Sequence, residues 1–133
     1  MSRMIVLKIE WVPIPFKAAF VSKKGSFNPR WKEMKVMREM LKEQYQGPVL
    51  EKAISCDYTF YMPIPKSTSK KKRALMLLGV IRPICTPDID NLRKLYSDIL
   101  QDIVIKNDSQ IVDGRSAKFY GEVPQTIIQI GEL

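Results

Sequence analysis

Five of the fourteen acidic residues of this chain, Asp88, Asp90, Asp98, Asp102 and Asp108, fall within one short stretch, and all five are aspartate. The chain as a whole carries a net charge of +8, so this is a local reversal of sign. Short carboxylates set close together repel one another unless a cation neutralises them. Hard divalent ions such as Mg²⁺ take oxygen ligands of this kind, often one or two carboxylates with water and substrate phosphate supplying the rest. The sequence contains no histidine. That removes every nucleophile system or general base built on imidazole, and every zinc site that needs it. Any chemistry must run on carboxylates, lysine, tyrosine or a bound metal.

The spacing gives these acids a plausible frame. Ile89, Leu92, Leu95, Tyr96, Ile99 and Ile103 recur with helical period, which predicts a helix from Asp88 to about Asp102 with Asp88 as its N-cap. At about 100° per residue, Asp90, Asn91, Lys94 and Asp98 share one polar arc. Asp108 lies in a predicted turn, Lys106 to Ser109, and could close the site if the chain doubles back. The same residues also have an ordinary structural account: Asp88 as a helix cap, Asp90 and Lys94 as an i,i+4 ion pair, Asp108 as a turn former. A bare D-x-D does not decide between the two. A second feature is cationic. Lys66, Lys70, Lys71, Lys72 and Arg73 place five positive charges in eight residues, and Lys23, Lys24 and Lys118 add more. On so basic a chain they are expected to contact phosphates without reading base sequence. Met34, Met37 and Met40 are assigned to core packing, and Phe119 and Tyr120 to strand packing in preference to base stacking.

Several elements must hold these groups in place. Ile5, Leu7, Ile9 and Trp11 alternate with polar residues and predict a strand over 4–11. Ser22 to Ser26 reads as a loop with a basic tip. Asn28-Pro29 predicts a helix start, with an apolar stripe running to about Gln46 and closed by Gly47-Pro48. Ile54, Cys56, Tyr58, Phe60 and Met62 mark a strand within 51–62. Ser69 can open a short helix, and Pro83 and Pro87 bracket an irregular connection. Two further strands are predicted, Gln110 to Tyr120 and Gln125 to Ile130, joined by a hairpin-like connection at Pro124. The sum is an α+β two-layer sandwich, a mixed sheet of about four strands covered by two principal helices.

The 133 residues fit one domain, 1–133, and 45% apolar with 27% charged residues is a globular composition. Cys56 and Cys85 are too few and too far apart for a structural zinc and read as free thiols of a reducing, cytoplasmic compartment. Arg3, Lys8 and Glu10 interrupt the apolar start, so no signal peptide is expected, and no apolar run approaches the roughly 18 residues of a membrane span.

Taken in order, Thr86-Pro87-Asp88-Ile89-Asp90-Asn91-Leu92-Arg93-Lys94, Asp98-Ile99-Leu100 and Asn107-Asp108-Ser109-Gln110-Ile111-Val112 resemble the signature of the RusA family of Holliday junction resolvases. The likeness extends to Pro65-Lys66-Ser67 with the lysine-rich stretch, and to Ala117-Lys118-Phe119-Tyr120-Gly121. The resemblance implies a small homodimeric endonuclease of phage or bacterial origin that cuts branched DNA, the four-way junction, with Mg²⁺ or Mn²⁺ and without a small-molecule cofactor. It also implies that Asp88, Asp90 and Asp108 are the catalytic, metal-holding acids and that Lys94 is the required lysine. One departure stands out: the first acid of the later motif is Asn107 here. The essential second acid, Asp108, is kept, so activity is expected to survive with weaker metal affinity. A branched-DNA-binding protein that has lost catalysis, and a nuclease of relaxed structure preference, remain as alternatives.

Overall fold

The computed structural model describes residues 4–17, 20–22 and 25–133. Its elements run β1 (Met4–Ile9), β2 (Phe20–Ser22), β3 (Gly25–Phe27), α1 (Trp31–Gln44), β4 (Ile54–Pro63), α2 (Lys70–Leu77), α3 (Ile89–Leu100), a 3-10 turn (Asp108–Gln110), β5 (Ile111–Asp113), β6 (Ser116–Gly121) and β7 (Gln125–Glu132). The ten-residue β4 is the spine of the sheet. It pairs antiparallel with β7 along one edge and parallel with β5 and then β6 along the other, while β1 pairs antiparallel with β7. The sheet is therefore mixed and five-stranded, and β2 and β3 form a separate two-stranded hairpin.

Burial follows the pleat. Ile54, Cys56, Tyr58, Phe60 and Met62 of β4, Ile5, Leu7 and Ile9 of β1, and Ile128 and Ile130 of β7 all face one way and are buried. Strand side chains alternate between faces, so this one face must be covered. The cover is the apolar stripe of α1 (Met34, Met37, Leu41) and that of α3 (Leu92, Leu95, Tyr96, Ile99, Leu100). Phe60 sits against Tyr96 with ring centroids 5.5 Å apart, tying sheet to helix. On the opposite face Met4 and Val6 are exposed, so the architecture is two-layered. This is the expected α+β sandwich.

Several boundaries differ from the sequence expectation for identifiable reasons. Gln110 to Tyr120 is not one strand: Gly114, with φ +138°, breaks it, and a Cβ there would lie 2.0 Å from the Cys56 carbonyl oxygen. This raises the strand count of the main sheet from four to five. The connection at Pro124 is not a hairpin, because β6 and β7 lie on opposite sides of β4. Asn28 does not cap α1 directly. Its Oδ1 accepts the Arg30 N–H at 2.9 Å in a turn that precedes the helix, and α1 begins at Trp31. Ser22 and Gly25 belong to the β2–β3 hairpin, whereas Lys23 and Lys24 lie outside the described residues. Helix α3 stops at Leu100; Asp102, at φ 67°, turns the chain out of it.

Candidate functional site

Helix α3 opens on Asp88, whose backbone is extended (φ −69°, ψ 150°) as an N-cap requires, yet its side chain makes no capping hydrogen bond. Asp90 stands in the first turn, where the positive end of the helix favours a carboxylate. The loop before the helix is tied down from β6. The Lys118 ammonium donates to the carbonyl oxygens of Cys85 and Pro87, both at 2.8 Å. Arg82 Nε donates in turn to the Lys118 carbonyl at 2.7 Å, and its guanidinium lies 3.7 Å from the centre of the Phe119 ring. The Thr86–Pro87 peptide within this loop is cis.

Asp108 reaches the site from the other direction. It begins the 3-10 turn, whose N-cap is Asn107: Asn107 Oδ1 accepts the Ser109 N–H at 2.9 Å. Gln110 completes a capping box and adds more. Its Oε1 accepts the N–H groups of Lys106 (2.8 Å) and Asn107 (2.7 Å), and its Nε2 donates to the carbonyls of Leu50 (2.8 Å) and Lys52 (2.9 Å). One side chain thus locks the Asp108 turn to the segment that leads into β4.

Asp90, Lys94 and Asp108 line a single open cleft of about 280 Å³, together with Arg93, Ser97 and Ile111. Asp90, Arg93, Lys94 and Ser97 fall at i, i+3, i+4 and i+7, one face of α3. Ser97 Oγ is fixed by a 2.6 Å hydrogen bond with the buried Tyr58 hydroxyl. Lys94 holds its ammonium 4.1 Å from the centre of the Phe16 ring, and Phe16 N–H donates to the Asn91 carbonyl at 2.8 Å. Asp98, next along the helix, has its pKa raised by burial and then by the negative charge of Asp108, with Lys94 and Arg38 opposing. Asp88 opens onto the adjoining cleft, lined by Pro15, Phe16, Lys17, Thr86, Pro87 and Asn91.

Asp88 occupies the N-cap position and Asp108 opens a turn, but their side chains do not hold those structures together. Among the described residues no ion pair joins Asp90 to Lys94, Asp88 does not cap through its side chain, and the cap of the second turn is Asn107, not Asp108. Carboxylates and cations line one cleft without closing on each other. The donor set is oxygen-only, which suits a hard divalent ion with two carboxylates and several waters. Among the described residues no three acidic or cysteine side chains are grouped closely enough to hold a metal by themselves. The structure brings Asp90 and Asp108 into one cleft, whereas Asp88, expected to join them, lines the adjoining one.

The basic residues divide into two groups. Lys66, Lys70, Lys71 and Lys72 are exposed, and their ammonium groups form no hydrogen bond or ion pair among the described residues; Ser69 caps this helix by accepting the Lys72 N–H. Arg73 pairs with Glu122 at 3.7 Å. Lys118 is half-buried and engaged with the Asp88 loop, so its visible work is internal. Sequence reasoning missed Arg93 and Ser97, although their helical spacing from Asp90 was available. It also missed Gln110, whose role depends on contacts some sixty residues away.

The family model described as endodeoxyribonuclease RusA matches residues 16–131. The uncharacterized protein YqaN of Bacillus subtilis (strain 168) is 42% identical over 82 residues, a match covering 60% of this chain and 58% of that protein. No helix among the described residues is long and apolar enough to cross a membrane.

Proposed function

This chain belongs to the endodeoxyribonuclease RusA family, and from that premise we propose that it resolves Holliday junctions by hydrolysing phosphodiester bonds in paired, opposed strands, during DNA recombination and repair. The observation that carries the reading is the α3 cleft, where Asp90 and Asp108 stand beside Lys94 without a structural partner. Asp90 and Asp108, with Asp88 at the margin, would hold Mg²⁺ or Mn²⁺. Such an ion would supply an activated water and offset negative charge developing on the phosphate, a task for which this chain has no histidine. Lys94, steadied over Phe16, would offset the charge that develops on the phosphate or orient the attacking water. The exposed lysines of α2 hold DNA arms through their phosphates, which reads branch shape more than base edges. In a homodimer, two symmetry-related clefts would meet two opposed strands.

Asn107 bears on the alternative of a catalytically impaired binder. Asparagine caps a helical turn about as well as aspartate does, and Asn107 is engaged as a cap. The departure from the family pattern therefore preserves the placement of Asp108. The test is a synthetic four-way junction with the purified protein, with and without Mg²⁺. Paired nicks that need the metal, and that vanish in Asp90→Asn and Asp108→Asn while junction binding in EDTA persists, are expected. Full cleavage by either variant, or binding that never turns into cleavage, would reject the reading.

A further inference from the structure

The cleft contains a second cation, Arg93, to which the resemblance assigns no role. Arg93 lies on the same face of α3 as Asp90 and Ser97, is exposed, and makes no hydrogen bond or ion pair with any described residue. Most other described arginines are engaged: Arg30 with the Pro15 carbonyl and Glu33, Arg38 with the Asp98 carbonyl, Arg73 with Glu122, Arg82 with the Lys118 carbonyl and the Phe119 ring. A guanidinium set among carboxylates would ordinarily close a bidentate pair with one of them. Here Asp90 and Asp108 share the cleft with Arg93 and neither is paired with it.

The geometry points to Arg93 as a catalytic residue that binds the non-bridging oxygens of the scissile phosphodiester through its planar N–H fork. The assignment rests on the nuclease reading above and adds a residue to it. Lys94 is a point charge held to one side by Phe16, whereas a guanidinium presents two parallel donors matched to a phosphate. Those donors face an oxygen pair that gains negative charge as the phosphorane forms, so their contribution grows from bound substrate to transition state. Ser97, held by Tyr58, places a hydroxyl beside the same oxygens.

The experiment compares Arg93→Gln, Arg93→Lys and Arg115→Gln with wild type on a four-way junction. Arg115 is also exposed and unpaired, but it lines a different cleft with Asp57 and Thr59, so its substitution controls for net charge. In EDTA, the slope of log K against log salt should fall by about one for Arg93→Gln and stay unchanged for Arg93→Lys and Arg115→Gln. With Mg²⁺, the single-turnover cleavage rate should fall about 10²-fold in Arg93→Gln and about tenfold in Arg93→Lys, and hold in Arg115→Gln. A wild-type rate in Arg93→Gln, or equal effects of Arg93→Gln and Arg115→Gln in either assay, would overturn the assignment. If the wild-type protein binds but never cuts, the nuclease reading falls on its own, and the salt slopes still decide whether Arg93 meets phosphate.

Discussion

Replacing Gln110 by leucine keeps the volume of the side chain and removes all four of its hydrogen bonds. Two of the four partners retain something: the Lys106 N–H also donates to the Leu50 carbonyl at 3.1 Å. The Asn107 N–H and the Lys52 carbonyl lie in exposed residues, where water replaces part of the loss. At about 1 kcal/mol net for each bond, halved for these reasons, the expected cost is about 2 kcal/mol. For a domain of this size that lowers Tm by roughly 8 °C. The more informative effect is on Asp108, two residues away. Without the clamp the 3-10 turn is free to shift against α3, and a displacement of about 1 Å at a reacting centre can cost 10²-fold in rate. The assay is therefore paired, a thermal melt alongside single-turnover cleavage of a junction. Gln110→Glu sharpens it: at neutral pH the carboxylate still accepts from Lys106 and Asn107 but faces the Leu50 and Lys52 carbonyls without a donor, so it should not rescue the rate. A melt within 2 °C of wild type, or an unchanged rate in Gln110→Leu, would refute the claim that this side chain places Asp108.

Four other outcomes follow from the structure. Gly114→Ala drives a Cβ onto the Cys56 carbonyl at a positive-φ position, so it should cost more than about 3 kcal/mol or prevent folding, as read by urea unfolding. Cys85 is exposed and Cys56 buried, so a thiol reagent at pH 8 should modify one cysteine in the native protein and two in urea. Burial raises the Cys56 pKa from 9.0 to about 11, so the unfolded chain releases this proton first. Stability should then fall as pH rises from 9 to 11, by up to about 3 kcal/mol, and Cys56→Val should lack that component. Lys118→Met should slow cleavage by loosening the Asp88 loop while leaving the salt dependence of junction binding unchanged; a slope reduced by about one would instead make Lys118 a phosphate contact.

Much of the site was legible because it is local. The stripe of α3 and the short spacing from Asp88 to Lys94 depend only on helical period, and Ser69 as a cap depends only on its own hydroxyl. What could not be read depends on residues far apart in the chain. Gly114 is required by a carbonyl of β4, and β6 and β7 separate because β4 takes both edges. Gln110 and Lys118 look like surface residues until the carbonyls of Leu50, Lys52, Cys85 and Pro87 are in view. The polar face of α3 was visible from periodicity, but which cleft each aspartate joins depends on where the Asp108 turn docks. Hence Asp90 and Asp108 share a cleft, and Asp88 opens onto its neighbour.

Because β7 is the bridge between β1 and β4, β1 has no strand partner until β7 has been made. A ribosome making this chain would hold an incomplete sheet, with Ile5, Leu7 and Ile9 on an unpaired strand, until β7 emerges. Nascent chains halted before Gln125 should therefore be preferred clients of chaperones and proteases.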